Sequence, residues 1–198
     1  MSTIIVDLGV GNTASVAFAL ERLGARPRLS RAATEIAEAE RLILPGVGAA
    51  AFAMRQIEAL GLAQILREFP RPLLGLCLGQ QLLYEASDEG GVRCLGVIPG
   101  RVQRLQSAPD RPVPHMGWNR LQRKTDDPLL DGVQDGAFVY FAHSYACLAG
   151  PETLAAVDYG GEFAAVVRQK NFWSCQFHPE RSSVVGRRIL ANFLALPC

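Results

Sequence analysis

With 198 residues, 49% of them hydrophobic and 20% charged, and a formal net charge of +1, the chain can build one domain with a full core and is short for two. That balance excludes the disordered and fibrous classes, and without a basic run or an acidic tail there is no electrostatic hold for nucleic acid or an anionic membrane. The opening MSTIIVDLGVGN has neither a charged leader nor a long apolar stretch, and no segment approaches the ~20 apolar residues of a membrane helix.

TIIVDLG, broken at Gly9 and Gly11, is rich in β-branched residues and reads as a strand buried on both faces. Asn12 stands where an N-cap belongs. Val16, Ala19, Leu20 and Leu23 follow at helical spacing until Gly24 ends the helix. RPRLS predicts a second strand, ATEIAEAE a short helix, and RLILPG a third strand stopped by Pro45-Gly46. Residues 49–69 carry a helical pattern interrupted at Gly61. RPLLGLC is a fourth strand, followed by a helix starting near Gly79. Strands and helices alternating at these intervals imply right-handed βαβ crossovers and a mostly parallel sheet.

From Val92 to Trp173 the texture changes. RVQRL, AFVYFA, LAAVDY, FAAVVRQ and NFWSCQF are short strand candidates separated by Gly, Pro and Asp turns, and they predict an antiparallel or mixed extension of the same sheet. SSVVGRRILANFLAL sets Val185, Ile189, Phe193 and Leu196 on one stripe of a packed helix. No linker, repeat or low-complexity tract divides residues 1–198, which read as a single domain. The expected fold is α/β: a three-layer sandwich whose mixed, mostly parallel central sheet carries helices on both faces and an antiparallel extension.

The five cysteines are odd in number and scattered, and with only three histidines they offer no zinc spacing. A reduced cytoplasmic protein with free thiols and neither metal nor cofactor is expected. One cysteine stands apart. Gly75-Leu76-Cys77-Leu78-Gly79 falls where a buried strand must become a helix, the place and pattern of a nucleophile elbow. Such a turn presents the sulfur at the carboxyl end of a strand, where open α/β sheets bind ligands, and at the amino end of a helix, which favours a thiolate. Packing is the competing reading, since free cysteine is among the most buried residue types.

A thiol of ordinary pKa, ~8.5, needs a base. CQFHPERSS supplies His178 after an aromatic strand and Glu180 two residues later, close enough for the carboxylate to orient the imidazole and stabilise its cation. Pro179 restricts the backbone between them. A strand-to-helix turn with a solvated acid is the plainer alternative. LPGVGAA, residues 44–50, ends another core strand with two glycines that let backbone N–H groups turn toward a developing oxyanion; a simple Pro-Gly turn has the same look.

PGVG, then G-x-C-x-G-x-Q, then HPE, in this order and spacing along essentially the whole chain, resemble the class I (triad) glutamine amidotransferases. Within that family, DLGVGNTASVAFAL, PHMGWN (114–119), VYFAHSY (139–145) and HPERSS resemble segments of the glutaminase subunits of imidazole glycerol phosphate synthase. The resemblance implies Cys77 as nucleophile, His178 as general base and acid, and Glu180 as its orienting partner. It implies Gly46, Val47, Gly48 and the N–H of Leu78 around the oxyanion, and Gln81 and Glu89 against the substrate L-glutamine. His143, Ser144 and Tyr145 would bind the amino-acid end of that substrate. Asn12, Trp118, Asn119 and Arg181 would face a separate (β/α)8-barrel cyclase subunit that receives the ammonia. Two positions depart from the family pattern: Leu8 stands for the usual Tyr, and Arg181 for the usual Lys, keeping the charge but changing the geometry. Two other readings stay open, a triad glutaminase of another pathway such as pyridoxal 5′-phosphate synthesis and a non-enzymatic, redox-sensing binding protein.

Overall fold

The structure is a computed structural model that describes residues 2–9, 12–46 and 48–198. Its first half runs β1 (Thr3–Val6), α1 (Thr13–Glu21), β2 (Arg28–Ser30), α2 (Ala33–Glu38), β3 (Arg41–Leu44), α3 (Ala50–Ala59), α4 (Ala63–Arg67), β4 (Leu73–Leu76) and α5 (Leu78–Leu83). There follow β5 (Ala86–Ser87), β6 (Val92–Arg93), β7 (Arg101–Arg104), β8 (His115–Arg120), β9 (Gln122–Arg123), β10 (Phe138–His143), β11 (Tyr145–Ala146), β12 (Thr153–Asp158), β13 (Glu162–Gln169), β14 (Phe172–Cys175) and α6 (Ser183–Ala195).

The central sheet has the order β2-β1-β3-β4-β14-β13-β12-β9. Neighbours are parallel from β2 through β14 and antiparallel from β14 to β9. Successive residues of a strand point to opposite faces, and here both faces are covered. Ile4, Val6, Leu42, Leu44 and Leu73 join Ile36, Met54, Ile57, Leu66 and Leu82 of α2–α5 in one core. Ile5, Ile43, Leu74 and Leu76 join Val16 and Leu20 of α1 and Ile189 and Phe193 of α6 in the other. The three-layer α/β fold expected from the sequence is the fold observed. Asn12 does cap α1, accepting from Ser15 N–H at 3.3 Å, and Gly24 takes φ +82° in the turn after that helix.

The second half is more divided than the sequence implies. LAAVDY and FAAVVRQ do extend the main sheet, as β12 and β13. RVQRL instead becomes β7 of a separate four-stranded sheet with β5, β6 and β11, and AFVYFA becomes β10 of a two-stranded ribbon with β8. The ribbon leaves an apolar side in the open: Met116, Trp118 and Phe138 are exposed. Strand β14, in NFWSCQF, takes a place inside the sheet, parallel to β4 with Cys175 opposite Leu76. That register is what the site is built on, because it sets residue 176 beside residue 77 and residue 178 just past the sheet edge.

Candidate active site

Strand β4 ends at Leu76 and α5 begins at Leu78, so Cys77 alone must turn strand into helix. It does so at φ 52° and ψ −106°, a region costing a non-glycine residue about 1–3 kcal/mol. Neighbours hold it there. Its N–H donates to the Cys175 carbonyl at 2.8 Å, and its own carbonyl accepts from the N–H groups of Gln80 (3.1 Å) and Gln81 (3.3 Å). The flanking glycines serve a different purpose from clearing space around the sulfur. A Cβ on Gly79 would lie 1.7 Å from the Leu44 carbonyl oxygen, and one on Gly75 would lie 2.8 Å from the Gly79 oxygen, so they let α5 touch β3 and β4 backbone to backbone. With only six residues, α5 carries a small dipole, and single groups rather than a whole helix set the sulfur's surroundings.

His178 leaves β14 with its imidazole in hydrogen-bonding reach of the Cys77 sulfur and its Nδ1 2.8 Å from Glu180 Oε1. Burial by itself pulls the imidazolium down, but the sulfur and the carboxylate outweigh it and raise the His178 pKa to about 10. A proton is therefore kept beside the sulfur, and a cationic neighbour favours a thiolate. Pro179–Arg181 form a single 3-10 turn, tied down by Ser182. The Ser182 hydroxyl donates to His178 O at 2.6 Å and accepts from Tyr140 N–H at 2.9 Å, while His178 N–H donates to Tyr140 O at 2.9 Å.

A folded-state pKa above the unfolded value means that the native protein binds this proton more tightly. The resulting stabilisation is complete below the unfolded value of 6.5 and is lost as pH rises through about 10. Glu180→Gln removes one of the two groups that raise the pKa, so the loss is expected at lower pH. An NMR titration of the His178 ring is the check, and an unchanged midpoint would detach Glu180 from the imidazole.

A cavity of about 320 Å³ opens beside the sulfur, within the range that holds small metabolites. Gly48, Cys77, Leu78, Gln81, Glu89, His143, Ser144 and Tyr145 all line it, joined by Pro114, Met116 and Ala142. Gly46 lies just behind: a Cβ there would stand 2.8 Å from Leu78 Cβ. Val47 lies outside the described residues. Glu89 also has a local task, since its Oε2 accepts from Ala50 N–H at 2.8 Å and caps α3, which lacks a side-chain cap of its own.

The cavity wall contains a chain of rings whose tautomers are fixed by one carbonyl. His143 Nδ1 must donate to Tyr145 O, 2.9 Å away, because a carbonyl only accepts. Burial holds His143 neutral, its pKa lowered to about 3, so its Nε2 is an acceptor. His115 Nδ1, at 3.0 Å, therefore donates to it, and His115 Nε2 faces the Asn119 amide at 3.4 Å. Both ring nitrogens of His143 are thus engaged within the protein, and it meets the cavity as a wall.

Of the residues expected to face a partner, Trp118 is 52% exposed and packs edge-on against Tyr140, and Arg181 lies over the Tyr140 ring at 5.2 Å. Asn119 is half-buried, bonded to Asp158 O as well as His115. Asn12 lines a narrow cleft with Pro45, Gly46, His178 and Glu180. Sequence reasoning passed over Ser182, His115 and Gln176. Period-two alternation held the signal for Gln176: Trp173, Cys175 and Phe177 enter the core under α1 and α6, so Gln176 faces the side that carries His178. Among the described residues, no group of three or more His, Cys, Asp or Glu side chains is arranged to hold a metal ion. No helix among them is long and apolar enough to cross a membrane.

The family model for class-I glutamine amidotransferases matches residues 4–196. The imidazole glycerol phosphate synthase subunit HisH of Xylella fastidiosa (strain Temecula1) is 50% identical over 192 residues, 97% of this chain and 96% of that one. The subunit HisH 1 of Vibrio vulnificus is 43% identical over 199 residues, covering 98% and 97%. A solved glutamine amidotransferase structure superposes with a TM-score of 0.75 at 23% identity, covering 97% of this chain and 96% of that chain, which speaks to the fold.

Proposed function

Since the chain belongs to the class-I glutamine amidotransferase family, we infer that it hydrolyses L-glutamine to L-glutamate and ammonia as the glutaminase subunit of imidazole glycerol phosphate synthase, in histidine biosynthesis. Residues 1–198 then form one amidotransferase domain that works in the cytoplasm. The observation that carries this reading is the line Cys77–His178–Glu180 beside an amino-acid-sized cavity, in a chain about half identical to subunits of that synthase over nearly its full length.

In the reaction, the Cys77 sulfur attacks the side-chain carboxamide carbon of glutamine. The carbonyl oxygen becomes an oxyanion, and in this reading the backbone N–H groups of Leu78, Gly46 and Gly48 are the donors that receive it. His178 gives its proton to the departing nitrogen, which leaves as ammonia, and a γ-glutamyl thioester remains on Cys77. The imidazole then takes a proton from water, hydroxide adds to the thioester carbon, and glutamate departs as the sulfur is restored. Glu180 holds Nδ1 and stabilises each imidazolium stage. The amide N–H groups of Gln81 are bonded to Tyr145 O (2.8 Å) and Gln176 Oε1 (3.1 Å), so its oxygen is left for an N–H of the substrate. Glu89 gives the cavity a negative charge suited to an α-ammonium group.

Ammonia protonates in bulk water and ceases to be a nucleophile, so a cyclase subunit must receive it directly. That partner is a (β/α)8-barrel subunit that consumes the formimino intermediate PRFAR. Trp118, Asn119, Asn12 and Arg181 form the facing surface. Mixing the purified protein with the cyclase subunit and PRFAR is expected to release glutamate in step with imidazole glycerol phosphate, and far faster than the protein alone. No release from the loaded complex would sink this function.

A further inference from the structure

We infer that Gln176 is a further residue of the catalytic centre: its side-chain amide donates a hydrogen bond to the Cys77 sulfur and favours the reactive thiolate. This rests on the amidotransferase reading of Cys77 given above. Gln176 is 1% exposed, and its Nε2 lies 3.8 Å from the sulfur, within the reach of an N–H···S bond.

A side-chain amide presents oxygen and nitrogen in similar shapes, so which end faces the sulfur must be argued. Here the orientation follows from a single fixed point, the Tyr145 carbonyl. It only accepts, and it lies 2.8 Å from the Gln81 side chain, so Gln81 presents Nε2 to it. The same Nε2 lies 3.1 Å from Gln176, which must therefore present Oε1. Gln176 Nε2 is then turned to the sulfur. Tyr145 O also accepts from His143 Nδ1 at 2.9 Å, so both of its lone pairs are engaged and the anchor has no alternative partner. The backbone adds a second lock, for Gln176 N–H donates to Ala165 O at 2.9 Å.

A donor that can satisfy the charged sulfur, and is held so that it cannot rotate to offer an acceptor, favours ionisation. His178 supplies the proton traffic, and Gln176 supplies a neutral donor that persists through every step. The other ionisable groups around the sulfur are His178 in contact with it, Glu180 behind the imidazole, and Glu89, His143 and Tyr145 on the cavity wall. Substitutions at Gln176 remove none of these ionisable groups.

The test is the pH dependence of Cys77 alkylation by iodoacetamide in the assembled synthase, with protection by glutamine as the control. Gln176→Leu removes the donor at similar volume. Gln176→Glu keeps the acceptor for Gln81 but places a carboxylate against the sulfur. The expected midpoints rise in the order wild type, Leu, Glu. The Leu variant should move up by about one pH unit and react about tenfold more slowly at neutral pH, with rates converging at high pH. Thermal melts identify the folded variants. A residue that only fills space would change the melt and leave the midpoint where it is. Two folded variants with wild-type midpoints would overturn the role of Gln176 while leaving the function intact. A wild-type enzyme without glutamine-protected alkylation at Cys77 would overturn both.

Discussion

Replacing Cys77 with alanine is expected to lower glutamine hydrolysis by about 10⁴-fold or more, while the synthase complex supplied with ammonium salts continues to make imidazole glycerol phosphate nearly as well as wild type. The reason is a division of labour. In the proposed mechanism Cys77 forms the bond that frees the nitrogen, and its sulfur lines the cavity with the His178 imidazole in hydrogen-bonding reach. The cyclase chemistry needs only ammonia, whatever its source. Alanine also leaves in place the backbone bonds to Cys175, Gln80 and Gln81 that hold the turn. Parallel assays with glutamine and with ammonia measure the two activities. Equal loss of both would mean that Cys77 supports the fold or the interface and performs no chemistry.

Gly79→Ala is expected to have the largest effect on stability, about 3 kcal/mol or more, and to disable hydrolysis together with it. The added methyl would stand 1.7 Å from the Leu44 carbonyl oxygen and 2.8 Å from its carbon. Those are backbone atoms of β3, so no side chain can swing aside, and α5 must lift off the sheet. Lifting α5 carries Leu78 N–H and the Cys77 turn away from the cavity. Gly61→Ala is the contrast: at φ +67° with open space around it, the same change costs only the ~1–2 kcal/mol of a left-handed residue. Urea unfolding of both variants decides the matter. A Gly79→Ala protein as stable as wild type would show that the helix does not rest on β3.

The parallel half of the fold was legible because its strands are buried on both faces. Such strands must be continuous apolar runs, and IIV, LIL and LLGL stand out between glycine and proline stops. The antiparallel half was less legible for two physical reasons. Strands of two residues, β5, β6, β9 and β11, are too short to show any periodicity. In β8 the usual pattern is reversed, with apolar Met116 and Trp118 pointing out and His115 buried, so it read as a motif rather than a strand. The elbow and the His-Pro-Glu turn were visible as spacing, but their meeting depends on β14 pairing with β4, which local sequence does not encode. Gln176 was passed over because a buried amide looks unremarkable until its partners are known.

The insertion of β14 between β4 and β13 also has a consequence for biosynthesis of the protein. During translation, the segment bearing Cys77 leaves the ribosome with only its earlier parallel neighbours for company. The Gln176 amide and the His178 imidazole, which the proposed mechanism sets beside that sulfur, belong to a stretch made much later. Until that stretch docks, the thiol has neither of them beside it, and a nascent chain not yet extended to His178 lacks the base that the proposed hydrolysis needs. Pairing of β14 with β4 thus ties the onset of the proposed chemistry to the late-made half of the fold.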